Sequence, residues 1–356
     1  MHSNISEVFL IQGHLQDFLK SPEKILGGIE KTGAFESIKK NTPVALKIHF
    51  GEKGNVSHIP PRLVSPLSKK LKELQAKPFL FETNTLYRGE RMNSVDHINL
   101  AYQHGFGRLG LPIIIGDGLK GNDYTEVGIY KKHFQSCFVA KALDDIPMMI
   151  VLSHFTGHML TGFGAALKNL GMGCASRRGK LAQHSVVCPR ISPSQCIQCG
   201  ACAENCPADA IERREDSFFI CEEKCIGCAQ CISVCPQGAV KIIWCEATGN
   251  MGEKMMEYAF AVTQKVKRCV FVNFCVFITK ECDCMNCEKS GFIPDLGVLV
   301  STDPVSLDKA CVDLLVKRES RDVWKEIHPS VDYLHQMDYA QKLGLGTQAY
   351  RLVELK

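Results

Sequence analysis

Cys196-Ile-Gln-Cys199-Gly-Ala-Cys202-Ala-Glu-Asn-Cys206-Pro207 returns 29 residues later as Cys225-Ile-Gly-Cys228-Ala-Gln-Cys231-Ile-Ser-Val-Cys235-Pro236. Each copy runs into a small-plus-aliphatic tail, Ala208-Asp-Ala-Ile211 and then Gln237-Gly-Ala-Val240. Three thiolates at this spacing wrap one four-iron cube from a single tight loop, and the fourth, set just before proline, ligates the other cube. The crossing assigns Cys196, Cys199, Cys202 and Cys235 to one [4Fe–4S] cluster. Cys225, Cys228, Cys231 and Cys206 fall to a second. Zinc sites call for pairs of cysteines rather than four per copy.

The repeat resembles the bacterial two-[4Fe–4S] ferredoxins across residues 192–241, and electron transfer is what that resemblance implies. This stretch is also set apart by charge. It carries seven acidic and four basic residues, net −3, in a chain of formal charge +4. On either side short apolar runs alternate with amphipathic stretches. Val44–Phe50, Pro78–Glu82, Pro112–Gly116, Met148–Ser153, Cys269–Phe274 and Gly297–Ser301 read as strands. Pro61–Ala76, Val95–His104 and Leu160–Leu170 read as helices, and Asp303 caps a further helix opened by Pro304. Alternation of this kind predicts an α/β host, a parallel or mixed sheet flanked by helices. The predicted organisation is host over 1–187, an inserted α+β ferredoxin-like module over 188–245, and host again over 246–356.

The chain has 356 residues, 19 of them cysteine, with 45% apolar and 22% charged composition. So many thiols in a large, regularly patterned chain point to metal or catalysis rather than to a disulfide scaffold. A second constellation, Cys282-Asp-Cys284-Met-Asn-Cys287, reads as a ligand set for a third metal or cluster, or as packed or redox-active thiols. Cys174, Cys188 or a histidine is available as its fourth ligand. Asp283 reads as a solvated acid, with an oxygen-ligand role as the alternative. The net charge is too small to argue for nucleic acid, and the longest apolar runs fall far short of the ~20 residues of a membrane helix. The start of the chain shows no basic-then-apolar leader, so a soluble, cytoplasmic protein is expected.

Residues 153–184 hold His154, His158, Lys168 and His184 among glycines. The two histidines four apart would share a helix face, and Lys168 among apolar neighbours would have a lowered pKa. His49 and Glu52 end one predicted strand, and Thr83, Asn84 and Thr85 end the next, where α/β ligands usually sit. Tyr87 and Arg88 follow, suited to an anionic substrate. The spacing of His158, Lys168 and His184, with Gly162-Phe163-Gly164 between, resembles nickel-dependent lactate racemases. There the first histidine is catalytic, the lysine carries a nickel-pincer nucleotide and the last histidine binds nickel. Ala165-Ala166-Leu167 stands where the racemases have Gly-Gly-Arg, so a shared fold and site position are what carries across. A wider resemblance takes in His49-Phe50-Gly51-Glu52, Glu82-Thr83-Asn84-Thr85-Leu86-Tyr87, the paired cysteine motifs and Ser301-Thr-Asp303-Pro304. These place the chain with the domain-of-unknown-function 362 family, whose members join such a host to a ferredoxin insert.

Three functions remain open from sequence. In the first, the clusters pass electrons to a redox site in the host lined by His49, Glu52, His158, Lys168, His184 and the 282–287 cysteines, with an electron-donor or -acceptor protein and a small anionic substrate as partners. The second is a carrier docking a separate oxidoreductase. The third is a racemase- or isomerase-like enzyme with structural clusters.

Overall fold

The computed structural model describes residues 5–185, 188–243, 248–284 and 291–355. Its centre is an eight-stranded sheet. The strands are β1 (Ser6–Ile11), β2 (Pro43–Ile48), β3 (Lys77–Glu82), β4 (Ile113–Ile115), β5 (Met148–His154), β6 (Arg268–Cys275), β7 (Gly297–Ser301) and β8 (Tyr350–Leu355), in the order β8-β1-β7-β6-β5-β2-β3-β4. β6, β5, β2, β3 and β4 run parallel, with Leu46 paired to Ile150 on one side and Leu80 on the other. β7 is antiparallel to both β6 and β1, so the sheet is mixed.

The apolar runs form inner strands because both faces of the sheet are covered. Val44, Leu46 and Ile48 face the helices Lys24–Lys31 and Pro61–Glu73. Ala45 faces the opposite layer, built from the helices Ala166–Gly171, Thr248–Lys265 and Pro304–Glu319. From β2 the chain steps outward to β3 and β4. It then returns to lay β5 on the other side of β2. That reversal opens a crevice beyond the carboxyl ends of β2 and β5, where ligands of open α/β sheets bind.

The chain that follows β5 departs from the sequence expectation. Leu160–Leu170 is not one helix: Thr156–His158 and Gly162–Gly164 pair as a small antiparallel hairpin, and the helix starts at Ala166. Close approach decides it, since a Cβ on Gly157 would stand 1.9 Å from the Lys280 carbonyl oxygen. His154 and His158 therefore sit on two strands and do not share a helical face.

Residues 190–241 stand apart from the sheet. Arg190–Ile191 pairs with Val240–Lys241, and Ile211–Arg213 with Phe218–Ile220, around the short helices Ala201–Glu204 and Gln230–Val234. The sequence repeat is also a backbone repeat. Left-handed φ recurs at Gln198 and Gly227, Gly200 and Ala229, and Asp209 and Gly238, each pair in register with the duplication.

Candidate functional site

A cavity of ≈ 510 Å³ lies at the carboxyl ends of β2, β3 and β5. Of the residues singled out from sequence, His49, Thr83, Thr85, Tyr87, His154, His158, Lys168, His184, Cys282 and Cys284 all line it. Glu52 stands behind the wall, where its carboxylate accepts from Arg91 Nε at 3.2 Å and the Glu90 amide at 3.3 Å. Asn84 turns away to Asp117, donating from Nδ2 to Oδ1 at 3.0 Å. Arg88 faces the 190–241 segment beside Gly238. Cys287 lies outside the described residues.

Three of the four histidines on this wall are held neutral. Gly51 N–H lies 3.0 Å from His49 Nδ1 and Arg91 Nη1 2.7 Å from Nε2, so both ring nitrogens meet donors. Burial, then the Arg91 charge, holds His49 well below the usual histidine range. His158 contacts Thr161 Oγ1 through Nδ1 at 2.9 Å, and burial with Lys168 nearby keeps it neutral too. His184 ends the helix Arg177–His184 and is pushed down to about 3 by burial and by Lys168 and Lys180. His154 differs. Burial opposes its charge, but the Asp283 carboxylate at 2.9 Å outweighs burial and raises its pKa.

Asp283 corrects the expectation of a solvated acid: it is buried, and its other oxygen accepts from Ser57 Oγ at 2.6 Å. The sulfurs beside it, Cys282 and Cys284, are joined as a disulfide with Cα atoms 5.3 Å apart. Cys174 and Cys188, the candidate fourth ligands, do not line the cavity. Among the described residues no three His, Cys, Asp or Glu side chains converge as a single metal ion requires.

Three cations missed from sequence complete the wall: Lys47, Arg91 and Lys180, beside Asn169 and Glu82, join Lys168. Lys47 is wholly buried and donates to Glu82 at 2.7 Å and Asn169 at 2.8 Å. The signal was the strand alternation, which turns Lys47 to the same side as Ala45. Among the described residues Lys180 is held by neutral oxygens alone, Thr83 Oγ1 at 2.5 Å and Ala175 O at 2.8 Å. Lys168 has no hydrogen-bond partner among the described residues and lies across Gly164, where a Cβ would meet its Cδ at 2.7 Å. Burial lowers both lysines to about 8. Glu82, Glu52 and Asp283 are already paired, so Lys168 and Lys180 face the cavity, which Glu281 also lines, without a hydrogen-bonded carboxylate partner among the described residues.

The eight motif cysteines line two small hollows. One is walled by Cys196, Cys199, Cys202 and Cys235, the other by Cys206, Cys225, Cys228 and Cys231. Cys206 and Cys235 have thus each crossed to the other copy's loop. The Ala210 amide points at Cys206 Sγ at 3.3 Å and the Ala239 amide at Cys235 Sγ at 3.1 Å. Leu86 and Leu181 of the host pack into the core of this segment, and Leu86 also lines the large cavity.

Residues 44–313 match the family described as Domain of unknown function (DUF362). The chain belongs to the DUF362 family. No curated protein matches it. Among solved structures it is similar to the lactate racemase apoprotein from Thermoanaerobacterium thermosaccharolyticum, with 12% identity and TM-score 0.39 over 76% of this chain and 50% of that one. A protein from Thermotoga maritima matches at 8% identity and TM-score 0.42 over 93% and 60%. This DUF362 chain therefore spans half to three fifths of the length of those structures.

Proposed function

We propose that the chain binds two [4Fe–4S] clusters in the 190–241 segment and transfers electrons to a small anionic substrate in the host cavity. The observation that carries this is the pair of four-cysteine hollows, each completed by the crossing cysteine that the motif demands. The residues suit the group: four sulfurs surround a volume, apolar side chains such as Ile191, Phe218, Ile211 and Ile220 close it, and an amide aims at each crossing sulfur. Bound there, the clusters would supply one electron each. The host's part is done by its own side chains. Lys168 and Lys180 hold the substrate's negative charge, Arg91 and Tyr87 fix the rim, and His158, neutral and bonded through Nδ1 alone among the described residues, accepts or returns a proton, while His49, with both ring nitrogens engaged, shapes the wall. Leu86, which packs in the segment's core and also lines the cavity, sets the segment one side chain from the cavity. A donor protein would meet the segment where Cys199 and Ile197 (59% exposed) reach solvent.

The test is anaerobic iron, sulfide, nickel and zinc analysis with EPR after dithionite. About eight irons per chain with coupled reduced-cluster signals are expected; zinc with little iron overturns the reading. The neutral histidines also suit proton abstraction, which favours an isomerase-like second reading. Turnover indifferent to cluster reduction would select it.

A further inference from the structure

The stretch Glu281–Cys284 is fastened to the cavity wall almost atom by atom. Thr279 Oγ1 donates to Glu281 O at 2.7 Å, Glu52 N–H to Asp283 O at 2.9 Å, and Tyr87 OH to Cys284 O at 3.2 Å. The Asp283 carboxylate is shared between Ser57 and His154. Between these anchors Cys282 and Cys284 are bonded to each other, and both face the cavity. A link with a sequence separation of 2 closes almost no loop, so it removes little entropy from the unfolded chain and is poorly explained as a stabiliser. A rigidly held sulfur pair in the wall of the proposed anion-binding cavity is instead placed to react.

We infer that Cys282 and Cys284 are a redox-active disulfide/dithiol pair, the two-electron site through which the cavity exchanges electrons with the cysteine-rich segment. The inference rests on the proposed cluster binding, which supplies the reductant. In the reducing direction the Cys282–Cys284 bond would break on taking up two electrons, one from each of the two clusters when reduced, and each sulfur would take one proton from water in the cavity. In the opposite direction two thiols lose two protons and two electrons, and the bond re-forms. Two one-electron carriers thereby match one two-electron couple. An anionic two-electron acceptor held by Lys168 and Lys180 would then meet the dithiol in the same cavity.

The experiment uses the full chain, purified without oxygen and with its iron content measured. Free thiols are capped with N-ethylmaleimide after acid quenching, disulfides are then reduced and capped with the deuterated reagent, and the peptides are mapped by mass spectrometry. In oxidised protein Cys282 and Cys284 should carry the heavy label, and after dithionite the light one. In a reductive titration followed by EPR, wild type should take up about two more reducing equivalents per chain than Cys282→Ser/Cys284→Ser before its clusters are fully reduced. Light label on both cysteines of oxidised, iron-replete protein overturns the inference alone, as does a stoichiometric metal lost in Cys284→Ala. Equal uptake by wild type and variant does so too. Protein without iron overturns the cluster assignment, and the inference falls with its donor. Should the serine variant misfold, the wild-type labelling pattern decides.

Discussion

Lys47 is a lysine in the middle of a parallel strand, and its charge is tolerable only because Glu82 on the neighbouring strand meets it at 2.7 Å. Removing one partner from a buried pair leaves an uncompensated charge, so Lys47→Met should cost ~3–5 kcal/mol of unfolding free energy. The double variant Lys47→Met/Glu82→Leu should recover most of that loss in urea melts. At this scale the sequence was legible where chemistry is local. The eight motif cysteines stand out by spacing alone, and the structure gathers them into two hollows. Asp283 did not, because the partners that bury it, His154 and Ser57, lie far away in sequence. Lys47 was hidden for the same reason, although strand alternation already assigned it to a covered face.

The helix Ala166–Gly171, six residues long, carries Lys168 and has no cap of its own: Ala165 makes no side-chain bond. Its first amides are satisfied from another element, Asp308, whose two oxygens accept from Ala166 N–H and Leu167 N–H at 3.0 Å each. Asp308→Ala should lower stability by about 1–2 kcal/mol through the lost cap. It should also weaken anion binding more than Asp308→Asn does, as read by calorimetry with a small dicarboxylate. The pH dependence of that binding has a definite sign. Burial holds Lys168 and Lys180 at about 8, below ordinary lysine. Their protonated forms therefore cost stability below about pH 8, a cost relieved as pH rises from there toward the unfolded value. A bound anion offsets that cost only while the lysines are charged. Affinity should fall by about tenfold per pH unit above about 8 for each lysine involved. The main-sheet strands from Pro43–Ile48 to Gly297–Ser301 and the helices Pro61–Glu73 and Pro304–Glu319 were readable from apolar periodicity, whereas the helix Thr248–Lys265 and the strands Ser6–Ile11 and Tyr350–Leu355 were not assigned from sequence. The hairpin at 156–164 was not, because its glycines answer to the Lys280 carbonyl and Tyr333 rather than to their neighbours in sequence.

Across the whole molecule, the core of the cysteine-rich segment takes in two residues from outside it, Leu86 and Leu181. Leu86→Ala should cost ~2–5 kcal/mol and speed proteolysis within 190–241 ahead of the sheet, which limited digestion would resolve. The crossing of the cysteines predicts a pairing that sequence order does not. Cys206→Ser and Cys225→Ser, from different copies, should perturb the same EPR signal, while Cys235→Ser perturbs the other. An identical effect of Cys206→Ser and Cys199→Ser would refute the arrangement.

The strands at the two ends of the cysteine-rich segment, Arg190–Ile191 and Val240–Lys241, lie side by side. The chain thus leaves the host and returns to it through one doorway, and among the described residues no strand of the main sheet is borrowed from the detour. Excising such a segment would leave every described pairing of the main sheet in register. What it would leave behind is a bare patch at Leu86 and Leu181, so the scar of its removal would be an adhesive surface beside the cavity rather than a broken fold.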